Sequence, residues 1–171
     1  NVIPDIVTIG KPLGNGHPIA AVACKKHIAK VFNNGMEFFN TFGGNPVSCA
    51  VAKSVLDVIE DEKLQENSLN VGNFIKKHLY KLSCEYPIIG SVRGQGLFLG
   101  IEFVDSNLNP LTDRADYIVN RMKNYGILLS TDGPYHNVIK IKPPLVFSIK
   151  NAKYFLKYFS LILKEDFICL N

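Results

Sequence analysis

The sequence predicts an α/β protein in two consecutive parts, each mixing strands with helices. Two observations carry that prediction. Apolar residues switch repeatedly between the two-residue period of a half-buried strand and the 3.6-residue period of an amphipathic helix. Glycine and proline clusters fall between these stretches, marking where one element stops and the next begins. One long helical stretch interrupts the alternation, and a boundary is expected inside it, around residues 60 to 75, dividing 1–65 from 66–171.

Each element follows from local pattern. Ile6, Val7 and Ile9 are β-branched and read as a short strand. Gly10, Pro12, Gly14, Asn15, Gly16 and Pro18 make the next segment a loop. Ile19 to Cys24 is a second small strand, and "KKHIAKVF" has the spacing of a short helix. Asn45 and Pro46 suit a helix start, followed by Cys49, Ala50, Val55, Leu56, Val58 and Ile59 along one stripe. Another helix is expected from Leu64 to Leu82. "IIGSVRGQGLFLGIEFV" then reads as two strands about a glycine turn, and "ADYIVNRMKNYG" as a helix closed by Gly126. "ILLSTDG" and "VIKIKPPLVF" form a further strand pair, and the tail from "IKNAKYFLKYFSLIL" onward reads as a core-facing helix.

Composition narrows the function classes. Of 171 residues, 47% are hydrophobic and 20% charged, an ordinary balance for a folded domain. The net charge of +4 is scattered among acids rather than gathered in a basic stripe with aromatics, which argues against nucleic-acid binding. No apolar run approaches the ~20 residues needed to span a bilayer, because Lys157 and Lys164 break the tail. Cys24, Cys49, Cys84 and Cys169 are dispersed without a CxxC pair, which predicts reduced, buried thiols. His17, His27, His78 and His136 have no metal-site spacing, so no metal is expected. There is no G-x-S-x-G elbow.

One residue stands out in "DIVTIGKPLGNGHP". Lys11 sits at a strand's end, and Pro12 biases it away from the helical region. In α/β proteins ligands gather outside the carboxyl ends of strands, and a partly buried lysine there can act as a nucleophile or base. An ordinary exposed lysine beside a turn fits the same pattern.

Four segments in order, "PDIVTIGKPLGNGHPIAAV", "NTFGGNPVSCAVAKSVLDVI", "VRGQGLFLGIEF" and "STDGP…NVIKIKPPLVF", resemble the class III aminotransferases. These are pyridoxal-phosphate enzymes of fold type I. The likeness is to the alanine–glyoxylate aminotransferase 2-like branch, whose members include phospho-lyases of ethanolamine phosphate or phosphorylated hydroxylysine. The resemblance implies that 1–65 is the end of the large cofactor-binding domain and 66–171 the small α+β domain. It implies that Lys11 forms the Schiff base with pyridoxal 5'-phosphate, and that Thr41 of "TFGGNP" binds the cofactor phosphate of the neighbouring subunit, with Gly43 and Gly44 allowing close backbone approach. The complete protein is then expected to be a homodimer or homotetramer, mitochondrial or cytoplasmic. The family's phosphate loop, its ring-stacking aromatic residue and its ring-nitrogen aspartate would lie upstream of residue 1, so the chain by itself is expected to be inactive.

The substrate question turns on "NVIKIKPPLVF". Relatives that grip an α-carboxylate place an arginine before the Pro-Pro pair, for a bidentate fork. Lys140 stands there, a point charge rather than a fork, which favours a phosphorylated amine over an ordinary amino acid. Lys140, Lys142 and His136 are the clustered cations nearby; a solvated strand edge fits them as well. Arg93 in "VRGQG" either anchors the small domain or contacts the substrate.

Overall fold

The computed structural model describes residues 2–169, except the side chain of Cys169, so the thiol expectation for that residue lies outside the description. The chain divides after Lys63 into two compact units.

In the first unit, β1 (Ile6–Ile9) pairs antiparallel with β2 (Ala21–Cys24), Ile6 opposite Cys24 and Ile9 opposite Ala21. Between them Lys11–Gly14 forms a single 3-10 turn in place of the expected loop, so Lys11 enters a helical turn despite the proline after it; Pro12 lies in the first residues of the turn, where a missing N–H leaves nothing unsatisfied. The chain leaves that turn through Asn15 at φ 45° and Gly16 at φ 111°. The second strand begins at Ala21 rather than Ile19, because Ile19 is drawn onto the turn: a Cβ on Gly14 would lie 2.8 Å from its Cγ2. Helices α1 (Lys26–Phe32) and α2 (Pro46–Asp61) follow. The Asn45 side chain caps α2 by accepting from Ser48 N at 2.9 Å, with Pro46 at the helix start. Among the described residues of this unit only Gly14 and Ala52 are buried.

The second unit opens with α3 (Leu64–Glu85), three residues longer than its expected end at Leu82. It stops where Tyr86 N bonds Leu82 O and Pro87 follows. Strands β3 (Ile89–Gln95), β4 (Phe98–Phe103), β5 (Ser130–Asp132) and β6 (Val138–Ile141) form an antiparallel sheet in the order β3-β4-β6-β5. Helix α4 (Thr112–Lys123) ends in a Schellman cap: Ile127 N bonds Met122 O, Gly126 N bonds Lys123 O, and Gly126 takes φ 71°. That cap uses Ile127, so only Ser130–Asp132 of the expected "ILLSTDG" strand pairs. Helix α5 (Ile149–Ile162) is closed at its start by a Ser148–Asn151 capping box. The expected continuous tail helix breaks at Leu163, and α6 (Asp166–Cys169) is separate.

Period-two alternation sends Val92, Leu99, Ile101, Phe103, Ile139 and Ile141 to one face of the sheet. Val71, Ile75 and Leu79 of α3, Ile118 and Met122 of α4, and Phe155, Phe159 and Ile162 of α5 meet them in one contiguous core. Each such side chain fully removed from water contributes about 1.5–3 kcal/mol. Helix α3 lies hard against the β3–β4 turn; a Cβ on Gly72 would come 2.0 Å from the Gly96 carbonyl oxygen, so only glycine allows this approach.

The cysteine expectation is corrected for three residues, since Cys24, Cys49 and Cys84 are exposed free thiols. Cys24 and Cys49 sit in the unit that buries almost nothing, and Cys84 lies on the outer side of α3, its Sγ 3.3 Å from Tyr80 O. Among the described residues no helix is long and apolar enough to cross a membrane.

Candidate active site

The two units each present one group of the residues singled out above. In the first, Lys11 stands at the mouth of an open recess of about 700 Å³ lined with Gly10, Gly16, His17, Pro18, Ile19 and Ala20. Of the two readings of Lys11, partly buried or exposed beside a turn, the structure has the exposed one, and all four residues of β1 and of β2 are exposed as well. A two-stranded ribbon is too small to wall in its own flanks. A Cβ added at Gly10 or Gly16 would meet nothing within 4 Å, so backbone beside Lys11 is open to a bound molecule.

Thr41 and Gly43 lie in the loop before α2. Asn40 Oδ1 accepts from Phe42 N at 3.2 Å and from Gly43 N at 2.9 Å, which fixes the loop around Thr41. Thr41 is itself exposed, and Gly44 takes φ 68° with open space beside it. This loop and the lysine loop are tied together by side chains that sequence reading did not assign. His17 Nε2 is 2.8 Å from Ser48 Oγ, and Asn45 Nδ2 donates to the same hydroxyl at 3.0 Å. "GNGHP" and "GGNPVS" carried the signal, but a pairing across 31 residues has no local signature.

In the second unit Arg93 and Lys140 share the open face of the sheet. Arg93 is opposite Gly100, Gly100 opposite Lys140, and Lys140 opposite Ser130, so the four form one row across four strands. The strand-edge reading of Lys140 is therefore corrected: β6 lies inside the sheet, between β4 and β5. Lys140 Nζ donates to Asp132 Oδ2 at 2.7 Å, and Gly133 N donates to Asp132 Oδ1 at 2.8 Å. These contacts, the lysine foremost, hold the Asp132 carboxyl below the usual range, with His136 adding a smaller pull. Arg93 Nη1 donates to Glu102 Oε2 at 2.7 Å and Ser91 Oγ donates to the same oxygen at 2.9 Å. The Arg93 bond, then the Ser91 bond, pull the Glu102 carboxyl down in the same way. Lys140 and Lys142 also line an open recess of about 820 Å³ with Ser130, Asn151 and Tyr154. Both carboxylate partners were missed in the sequence, since each joins residues eight or nine positions apart on paired strands.

Comparison with known proteins follows the same residues. The family model described as aminotransferase class III matches residues 1–163. An alanine–glyoxylate aminotransferase 2-like protein of Drosophila melanogaster is 49% identical over 160 residues, covering 91% of this chain and 32% of the relative. Ethanolamine-phosphate phospho-lyase homolog 1 of Caenorhabditis elegans is 45% identical over 152 residues, covering 87% and 32%. Among solved structures, a phospholyase from Arthrobacter in complex with phosphoethanolamine superposes with a TM-score of 0.90 at 41% identity, covering 95% of this chain and 39% of that one. The chain thus spans about a third of the length of the curated relatives it matches. Its fold is that of pyridoxal-phosphate aminotransferases and phospho-lyases, and pyridoxal phosphate is the cofactor of those enzymes. With the match running through both units and across both groups of residues, the chain belongs to the class III aminotransferases.

Proposed function

We propose that the complete protein is a phospho-lyase, releasing phosphate and ammonia from a small phosphorylated amine such as ethanolamine phosphate or 5-phosphohydroxylysine. The observation that carries this reading is Lys140, a lysine on an interior strand of the sheet in place of a carboxylate-gripping arginine. Its ammonium can pair with a phosphate without the planar geometry a guanidinium demands. The likeness to the Arthrobacter phospholyase supports the same choice.

The residues present fit pyridoxal phosphate. Lys11 offers an amine beside an open recess, and among the described residues no carboxylate pairs with it. Thr41 offers a hydroxyl on a loop with open space at Gly44, and Gly43 brings backbone close by. When bound, the cofactor supplies an electron sink that makes the substrate's α-proton removable. Lys11 would hold the cofactor through its Nζ, and the same nitrogen would be the base that takes the substrate's α-proton. The His17–Ser48–Asn45 bonds fix the loop that carries Lys11 against the start of α2, and a steady backbone under the lysine is what such a proton transfer requires. Residues 1–65 would be the end of the large cofactor-binding domain and 66–171 the small domain. The functional assembly would be a homodimer or homotetramer in which Thr41 serves the neighbouring subunit's cofactor. A mitochondrial or cytoplasmic address agrees with the name of a 45% identical Arabidopsis thaliana relative, alanine–glyoxylate aminotransferase 2 homolog 2, mitochondrial.

That relative also favours a second reading, an ω-amino acid transaminase of the alanine–glyoxylate type; a third is a non-catalytic truncated product. One assay separates them. The complete protein is incubated with ethanolamine phosphate and pyruvate while ammonia, phosphate and alanine are followed together. Equal release of phosphate and ammonia is expected, whereas alanine forming one-for-one with substrate loss, with no phosphate, identifies a transaminase. Borohydride reduction should place the cofactor label on Lys11, and a label on another lysine would overturn that assignment.

A further inference from the structure

We infer that the row Arg93–Gly100–Lys140 is a two-cation platform that selects a doubly charged phosphate over a carboxylate, with Gly100 as its floor and Glu102 and Asp132 as built-in competing anions. The inference rests on the phospho-lyase reading and deepens it, adding Arg93 and Gly100 as determinants of specificity and the two carboxylates as positioning residues.

The geometry begins with register. Arg93 and Lys140 stand on either side of Gly100, on the face opposite the buried Val92, Leu99, Ile101 and Ile139. Two strand spacings put their Cα atoms about 10 Å apart, within reach of one phosphate for two long side chains. Glycine inside a strand weakens it and marks a close approach by another group. At Gly100 a Cβ would come 3.2 Å from Val138 Cγ1 and 3.9 Å from Arg93 Cγ, so any side chain there would fill the floor between the cations.

Charge decides the ligand. Each cation already has one carboxylate: Glu102 at 2.7 Å from Arg93 and Asp132 at 2.7 Å from Lys140. A substrate carboxylate arriving here exchanges one monoanion for another and gains little. A phosphate monoester brings close to two charges and three acceptor oxygens near neutral pH, and can engage both cations at once. Arg93 has capacity for this, because its bonds to Ser91 and Glu102 both run through Nη1, and among the described residues Nε and Nη2 have no partner. The side chains of Arg93 and Lys140 are 54% and 31% exposed, open to an incoming ion yet already oriented by their carboxylates. Asp132 lies on β5, beyond Lys140 from Arg93, so Lys140 leaves that carboxylate to share a phosphate with Arg93.

The test begins with the 171-residue chain, titrated with inorganic phosphate and with acetate and followed by amide and guanidinium NMR. Phosphate should move Gly100, Lys140 and Arg93 Nε–H together, and acetate should not. Arg93→Gln, an exposed position, should weaken phosphate about ten-fold, the loss of one charge-assisted contact. Gly100→Val should abolish the response, with Gly100→Ala as the milder variant should valine unfold the sheet. Equal responses to acetate, or phosphate shifts elsewhere, would overturn the proposal. The complete protein then separates this inference from the reading beneath it. Arg93→Gln should raise KM for ethanolamine phosphate about ten-fold and leave pyridoxal phosphate affinity unchanged. An unchanged KM with phosphate still released defeats the platform and spares the phospho-lyase; loss of cofactor reassigns the row to the cofactor's phosphate and defeats it; alanine formation without phosphate defeats the phospho-lyase itself.

Discussion

The two units differ most in what they bury. Residues 64–168 enclose a contiguous core in which Phe103, Ile118, Met122, Ile139 and Phe159 are fully out of water. Residues 2–63 bury only Gly14 and Ala52, and leave Val31, Met36, Phe39 and Phe42 77–80% exposed. The unit that carries Lys11 therefore takes little stability from its own side chains, whereas the unit that carries Lys140 encloses a core of its own. Apolar surface on that scale is what an interface or a larger core uses. The contrast teaches that motif strength and packing strength are independent: "TIGKPLGNGHP" and "TFGGNP" are the most recognisable segments and lie in the least packed part.

The sharpest way to break this contrast is to separate the units. Residues 64–171 expressed alone should unfold cooperatively in urea at the same midpoint as the whole chain, while amides of 2–63 exchange at least about 100-fold faster than those of β4 and β6, since local opening there costs little. Equal protection in both units would refute it. Next in size are aromatic truncations: Phe103→Ala should cost about 3–5 kcal/mol by urea denaturation, and Phe42→Ala, 80% exposed, no more than about 0.5 kcal/mol.

Helix caps sharpen the comparison with matched chemistry. Ser148→Ala removes half of the α5 capping box and should lower global stability by about 1 kcal/mol. Asn45→Ala removes the α2 cap, yet should leave the urea midpoint in place and speed α2 amide exchange about five-fold. A shift in the global midpoint from Asn45→Ala would show the first unit to be coupled to the second's unfolding.

The smallest effect concerns Glu165, which joins α4 to the turn after α5. Its Oε1 accepts from Arg121 Nη2 at 2.6 Å and its Oε2 from the Tyr117 hydroxyl at 2.6 Å. Arg121, the larger cause, and Tyr117 hold this carboxyl below its ordinary value. A depressed folded value means the stabilisation is complete above the unfolded value of about 4.3 and is lost as pH falls through the folded one. Glu165→Gln should thus lower the urea midpoint slightly at pH 7, and the difference should shrink as pH falls below the unfolded value and through the lower folded one. A difference that grows in acid would reverse the assignment.

Most elements were legible from period and punctuation, because those signals are local. The Gly126 stop, the Asn45–Pro46 start and the strands around "RGQG" each needed only a few neighbouring residues. What stayed hidden was set by distant ones. Lys140 looked like an edge residue because nothing near it in sequence says that β6 lies between β4 and β5. The Asp132 and Glu102 partners are cross-strand contacts that appear only with the register. Exposure of Lys11, Cys24 and Cys49 depends on how little surrounds them, a property no short window contains. The roles given to Lys11 and Thr41 came from motif resemblance, and the fold adds to them the tie through His17 and Ser48.

The alternation that puts Arg93, Gly100 and Lys140 on one face also works as a parity rule for this sheet's evolution. A one-residue insertion or deletion inside β6 would swap the lysine for Ile139 or Ile141 and push a charge among Leu99, Ile101 and Phe103. Length changes are therefore forbidden there, and new specificities can arise only by point substitution at alternate positions. The β5–β6 connection, Gly133 to Asn137, is under no such rule at its exposed tip, so natural variation in length should gather there and not in the strands that flank it.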